Sequence, residues 1–518
     1  MKKAVLKRYQ KAILASIFLV FLWVAYSSYK DYGIAWDEPA QMEIGKLNYE
    51  FIHLQNDSLK SYHDRFYGAA YEMPIYALIQ FLEIQTEYSQ YQFKHLINHL
   101  FFIISLGFFF ALIFNIFKSF DAALLGIIML YIHPRIFAHS FFNSKDIIFL
   151  SIFIIGLYTL YLLIQKPSNK RIIFHAIVSA LLIDVRILGI ILPFISLLIV
   201  LPSLFRSSEE RMQWFKTIAK YSVLLILFIY TFWPALWTDP FLLGKSFVRM
   251  SHFPFQYDVL FQASLISAQQ IPWSYIPVWF VITTPPFILL LSIIGFFWLI
   301  RNYLNRPEEA FNSNEQWFIL VLASFPIDFV ILLIIINSTL YDGWRQVYFL
   351  YPFILFSAVY AFQQIKVKLK ARPIALRIIY GFISIFILLS LLKIYKLHPY
   401  QQVYFNHFVH KQDENRRKSF EMDYWGLSYR AGLEYIVDND KSQLIRVCFA
   451  NAAGPNNLIC LSPEDQKRIT IIESPDSADY FITNYRYHPQ NYSYKNEVFH
   501  IIRDKNRILS VFKLKDEK

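Results

Sequence analysis

The chain has 518 residues, 56% of them hydrophobic, 19% aromatic and only 17% charged, with a mean hydropathy of +0.35. A soluble chain carries about 25% charged residues, so a set of soluble domains is excluded, and 14 Gly, 22 Pro and 2 Cys exclude collagen-like, disordered and disulfide-rich classes. The formal net charge of +12 has no meaning for partners until the basic residues are placed. The composition is that of a polytopic membrane protein.

Crossing the hydrocarbon core takes roughly 20 mostly apolar residues. Eleven segments approach this, at 12–29, 96–117, 122–133, 147–164, 172–183, 187–204, 221–237, 276–300, 317–336, 347–363 and 374–394. The third and fifth are short enough to be partly re-entrant. The first follows Met-Lys-Lys without a small-residue cleavage site and reads as a retained anchor. Strict alternation of the eleven puts Lys2, Lys3, Lys7, Arg8 and Lys11, Lys118, and the clusters at 166–171, 206–220, 301–306 and 366–377 on one side. These make up 20 of the 32 Lys and Arg before residue 395, and such a bias marks the cytoplasmic side. The N-terminus is thereby expected in the cytoplasm. A membrane region 1–394, with an acidic outer loop 30–94, precedes an outer tail 395–518 of charge +2. The tail reads as a small α/β domain, with strands near 444–450, 469–472 and 508–514 and a helix near 428–437.

The unusual polar residues cluster at the outer ends of the spans, where ionisable groups are expensive and tend to mark function. Trp36-Asp37-Glu38-Pro39 follows the first span. Adjacent carboxylates there suit a general base, while Pro39 at a helix start makes either acid an alternative N-cap. The stretch from His133 to Asp146 packs His133, Arg135, His139, Asn143, Lys145 and Asp146 between apolar spans. Arg135 and Lys145 suit phosphate oxygens, Asp146 suits a cap, a metal or an acceptor, and both histidines also read as satisfied structural groups. Asp184 and Arg186 either neutralise each other or leave Arg186 for a phosphate. Trp273 and Tyr275 read as an interfacial belt. Asp342 and Arg345, in Tyr341-Asp342-Gly343-Trp344-Arg345, either pair or leave Arg345 for an anionic headgroup. In the tail, Cys448 and Cys460 flank a turn-rich stretch and read either as a disulfide or as two buried thiols.

P-loop, GxGxxG, GxSxG, HExxH and CxxC patterns are missing, so nucleotide-driven and zinc-hydrolase chemistries lose their usual support. A transporter of lipid-linked saccharides would place acids mid-span and show paired repeats. Apart from Asp328, deep charges are scarce here. A one-sided polar load suits an enzyme better than that transporter, or than a non-catalytic membrane scaffold.

An acidic pair soon after the first span resembles the GT-C glycosyltransferases that use lipid-linked sugars, including the protein O-mannosyltransferases and the lipid A aminoarabinose transferase. Further matches lie at His133 to Asp146, Pro272 to Pro286, Tyr341 to Arg345, His398-Pro399-Tyr400 with Tyr404-Phe405-Asn406, and Asp423 to Ser428. The resemblance implies a GT-C type helical membrane fold with a small outer α/β domain. It implies a hexosyl- or mannosyltransferase-like activity at the periplasmic face of a bacterial inner membrane. An undecaprenyl-type polyprenyl-phosphate sugar would be the donor, and a lipid, glycan or protein the acceptor, with inversion; the placement of the net charge, +2 in the tail and the rest concentrated in cytoplasmic loops, separately argues against a nucleic-acid partner. Asp37 would be the base or orienting group, supported by Glu38, and Asp146 the other acidic position, which in some relatives helps hold a metal such as Mg or Mn. Arg345, with Asp342 beside it, and Arg135, Lys145 and Arg186 would bind the carrier phosphate. No DxD pair is present in the membrane region 1–394, so the resemblance leaves metal dependence open.

Overall fold

The computed structural model describes residues 2–251, 253, 255–409 and 415–515. The eleven apolar segments fall mostly on helix, as a backbone without water must satisfy its own hydrogen bonds. Among the described residues nine helices are long and apolar enough to cross a membrane: Lys7–Ser28, Glu87–Phe117, Asp146–Gln165, Ile187–Phe205, Ser208–Phe232, Pro286–Asn305, Asn314–Ile335, Arg345–Lys368 and Pro373–Leu397. The protein is a multi-pass membrane protein. Asp146–Gln165 lies at the centre of the bundle, nearly all buried, whereas the first and last helices turn most of their residues outward.

The two short segments take their own forms. Phe120–Tyr131 is followed by Pro134–Phe142 at a bend of 67°, because Pro134 cannot continue the preceding helix. Asn169–Val185 has 17 residues and packs between Asp146–Gln165 and Ser208–Phe232. The expected span 276–300 is not continuous. The Pro285-Pro286 pair divides it into Tyr275–Thr283 and Pro286–Asn305. Asn406 takes up the carbonyls freed at the break, donating from Nδ2 to Val281 O (2.6 Å) and Thr284 O (2.8 Å).

The C-terminal region holds a five-stranded mixed sheet in the order Ile469–Ile471, Ile445–Phe449, Tyr480–Thr483, Asn506–Lys513, Glu497–Arg503. The first three strands are parallel and the last two form an antiparallel hairpin. The helix Tyr429–Asn439 packs against the sheet, with Gly432 close to Leu509, Val511 and Ile482. Two of these strands, Tyr480–Thr483 and Glu497–Arg503, were not expected. One continuous core runs from Phe102 and Phe141 in the bundle through Trp425 to Leu433 and Leu509. The side-chain amide of Asn457 grips Ile34, accepting from its N–H (2.9 Å) and donating to its carbonyl (3.0 Å). Trp36 N–H donates to Trp425 O at 3.0 Å, and Arg430 donates to Lys30 O at 2.7 Å.

The disulfide reading is corrected: Cys448 and Cys460 are both free thiols. Cys448 packs with Ala478, Phe481 and Phe512, while Cys460 lies toward Tyr88 and Arg430.

Candidate active site

Asp37 begins the helix Glu38–His53 but does not cap it. Its side chain accepts no hydrogen bond from the first turn, remains 35% exposed, and lies 3.6 Å from Arg345 Nη2. Glu38 does the local work instead. Its Oε2 accepts from Ala35 N–H (2.8 Å) and its Oε1 meets His95 Nε2 (2.8 Å), with both side chains buried. The adjacent acids of the sequence motif are therefore divided, one satisfied inside the protein and one presented outward.

Arg345 is the hub of the site. Its Nη1 donates to Asp146 Oδ2 (2.9 Å) and its Nη2 to Asp342 Oδ2 (3.0 Å). Its guanidinium lies 4.6 Å from the Trp425 ring centre and 5.1 Å from that of Tyr341, a geometry in which ring quadrupoles favour a cation. Asp342 reaches this position through a left-handed turn, φ +56°, followed by Gly343 at φ +75°. Asp146 is shared: Oδ1 pairs with Arg186, and Oδ2 also accepts from Asn143 Nδ2 (2.9 Å). Asp184 does not neutralise Arg186. Its Oδ1 accepts from Ala70 N–H (3.0 Å), fastening the loop that carries Tyr67. Gly68 is required there, as a Cβ would lie 1.7 Å from Asp184 Oδ1. Tyr67 in turn sits under Lys145, whose ammonium is 3.5 Å from the ring centre. Behind Lys145, Ser144 donates to Glu72, which forms a buried ion pair with Lys94 at 2.7 Å. Burial, partly offset by Asp37, lowers the Lys145 ammonium to about 8.

Two cavities meet at these residues. A polar one of about 290 Å³ is walled by Asp37, Gln41, Asp64, Asp342 and Arg486 together with the aromatics Trp36, Tyr257, Trp425 and Tyr487. An apolar one of about 320 Å³ runs along Ile187, Ile190, Phe247, Phe329, Leu332 and Ile336, with Asp146 and Arg186 at its polar end. Tyr67, Lys145, Phe253, Tyr341 and Arg345 belong to both walls. A polar chamber and a greasy groove thus share a cationic partition.

The structure does not bring Arg135 to either cavity. It is buried beneath Trp279 (5.1 Å) and Phe405 (4.7 Å) and donates from Nε to Tyr404 O at 2.9 Å. The two histidines of that stretch pack inside as well: His139 meets Asn143, Tyr424 and Trp425, and His133 caps its helix on Ile136. Asp146 does not fit a cation. Its two oxygens face two arginines and an amide, and no group of three His, Cys, Asp or Glu suited to a metal occurs among the described residues. Arg486 was missed. It follows the short strand Tyr480–Thr483, and its Nη2 reaches Asp342 Oδ1 at 2.8 Å. The only sequence signal was an arginine inside the aromatic run Tyr485-Arg486-Tyr487.

No protein-family model matches the chain, nor does any curated protein. Among solved structures it is similar to the apo oligosaccharyltransferase of Archaeoglobus fulgidus, with a TM-score of 0.49 and 11% identity, covering 90% of this chain and 65% of that one. It therefore spans less than two thirds of that protein's length. ArnT from Cupriavidus metallidurans, bound to undecaprenyl phosphate, scores 0.48 at 10% identity, covering 96% of this chain and 97% of that one. AglB from Archaeoglobus fulgidus, in complex with an inhibitory peptide and a dolichol-phosphate, scores 0.44 at 10% identity over 93% and 71%. The two neighbours from Archaeoglobus fulgidus are oligosaccharyltransferases by name.

Proposed function

We propose that the protein is a glycosyltransferase that moves a sugar from a polyprenyl-phosphate donor to an acceptor in the polar cavity, at the periplasmic face of a bacterial inner membrane. The observation that carries this reading is the placement of Asp37. Its carboxylate is uncapped and partly exposed, 3.6 Å from an arginine that stands where a polar chamber meets an apolar groove. The groove suits a prenyl chain, which an aqueous site has no means of binding. Lys145 and Arg345, with Arg186 behind them, suit the carrier phosphate. The motif resemblance to lipid-linked-sugar glycosyltransferases and the basic bias of the opposite loops support the same reading and orientation.

In the proposed reaction an acceptor hydroxyl or amine approaches the anomeric carbon from the polar cavity and gives its proton to Asp37. The new bond forms from the acceptor atom to the anomeric carbon as the bond to the phosphate oxygen breaks, with inversion. The electron pair leaves on polyprenyl phosphate, where fixed cations stabilise the developing charge. Asp146 holds Arg345 and Arg186 in place and takes no proton. No metal is assigned, since the acidic position that relatives use is saturated by arginines.

The test is transfer by purified protein supplied with labelled donor and acceptor. Asp37→Asn should lower turnover about 10²- to 10⁴-fold, the usual worth of a positioned base, with thermal unfolding unchanged. Full turnover by this variant removes Asp37 from the role. Movement of intact labelled carrier across vesicles, with no change in its glycan, replaces the enzyme with a translocator.

A further inference from the structure

Arg486 is a costly residue in a strained place. It is buried, and its neighbours Tyr485 (φ +63°) and Tyr487 (φ +65°) both adopt the left-handed conformation although neither is glycine. Such residues persist only where the surroundings over-determine them, and they cluster at functional sites. The turn is held from below: Tyr485 N–H donates to Thr483 Oγ1 (3.0 Å), and Asn484 Nδ2 donates to Asp423 O (2.8 Å). Its effect is to aim the guanidinium out of the C-terminal region into the wall of the polar cavity.

There the guanidinium touches both halves of the proposed machinery. Nη2 donates to Asp342 Oδ1, the oxygen that Arg345 does not use. The ring of Trp36, next to Asp37 in sequence, lies 4.7 Å from its Cζ. Nη1 donates to Tyr424 O, tying the turn to the residue before Trp425, whose ring covers Arg345. Nε is buried without a hydrogen-bond partner. A domain-docking arginine would not need to contact the neighbours of both Asp37 and Arg345.

We propose that Arg486 is a positioning residue for the transfer reaction, fixing the separation of Asp37 and Arg345 through Trp36 on one side and Asp342 on the other. The C-terminal region is then part of the reaction geometry. This rests on the function proposed above.

The test compares kcat, donor KM and acceptor KM for Arg486→Ala, Arg486→Lys and Arg430→Ala. Arg430 also fastens the C-terminal region, through Lys30 O and Tyr32 O, but lines neither cavity. Arg486→Ala should lose kcat on the order of 100-fold, the scale of a misplacement near 1 Å, with donor KM nearly unchanged. Arg486→Lys keeps the charge but not the three-way reach, and should recover only part of that loss. Arg430→Ala should keep wild-type kcat per folded molecule. Wild-type kcat in Arg486→Ala, or an equal loss in Arg430→Ala, overturns the proposal. If Arg486→Ala does not fold, Arg486→Lys decides: reduced kcat upholds the proposal and wild-type kcat overturns it. Asp37→Asn, measured alongside, separates the two failures, because full transfer in that variant defeats the proposed function itself.

Discussion

Arg135 and Arg345 stand near the same end of the bundle, each buried between two aromatic rings, and they are used in opposite ways. Arg135 has Trp279 and Phe405 about it and a backbone carbonyl for a partner, with no carboxylate within ion-pair distance among the described residues. Arg345 has Trp425 and Tyr341 about it, but it also faces Asp37, Asp146 and Asp342 and borders two cavities. A buried cation between rings is thus not in itself a site. The carboxylates that orient Arg345, and the open space that Arg135 lacks, make the difference.

That contrast can be broken by substitution. Arg345→Met should have the largest effect after Asp37→Asn. Turnover should fall about 10²- to 10³-fold, as for loss of one charge-stabilising donor. Stability should fall by about 1–3 kcal/mol, because Asp146 keeps Arg186 and Asp342 keeps Arg486 while each buried carboxylate loses one of its two cationic partners, and unfolding in detergent would register it. Arg345→Met with wild-type turnover would erase the distinction from Arg135. Lys145 predicts a smaller effect, visible in pH dependence. An ammonium lowered to about 8 is charged below that pH and neutral above it, so donor KM should rise as pH passes through 8. Arg stays protonated at any accessible pH, so Lys145→Arg should move the rise out of range; an unshifted profile would assign it to another group. Arg135→Met should cost about 1–3 kcal/mol through the unpaired Tyr404 carbonyl and leave kcat alone, and a fall in kcat would make the two arginines equivalent. The smallest effect belongs to the cysteines. Denatured, unreduced protein should take up two equivalents of alkylating reagent, one for each free thiol.

The apolar segments were legible because lipid imposes a length and a composition on each helix. The polar motifs were legible because charge at a span end is conspicuous, and Asp37, Lys145, Asp342 and Arg345 do meet. What the sequence withheld was direction. In the stretch from His133 to Asp146, Pro134–Phe142 is buried along its whole length, so Arg135 and His139 turn into packing while Lys145 and Asp146 face cavities. Periodicity gave no warning, because a helix enclosed on all sides has no polar face. The break at Pro285-Pro286 depends on Asn406, far along the chain, to accommodate its carbonyls. Arg486 was hidden for a different reason. It lies past a four-residue strand, and only the fold of the tail shows that it reaches Asp342.

The grip of Asn457 on Ile34 has a consequence for biosynthesis. Translation makes Asp37 early and Asn457 and Arg486 late, and the segment before Asp37 is fastened by hydrogen bonds to that late residue. A nascent chain already inserted in the membrane thus carries the acid, the groove and the cations without the brace that would set them against one another. The segment before Asp37 and the turn that carries Asp342 gain these bonds, to Asn457 and Arg486, when the C-terminal region folds.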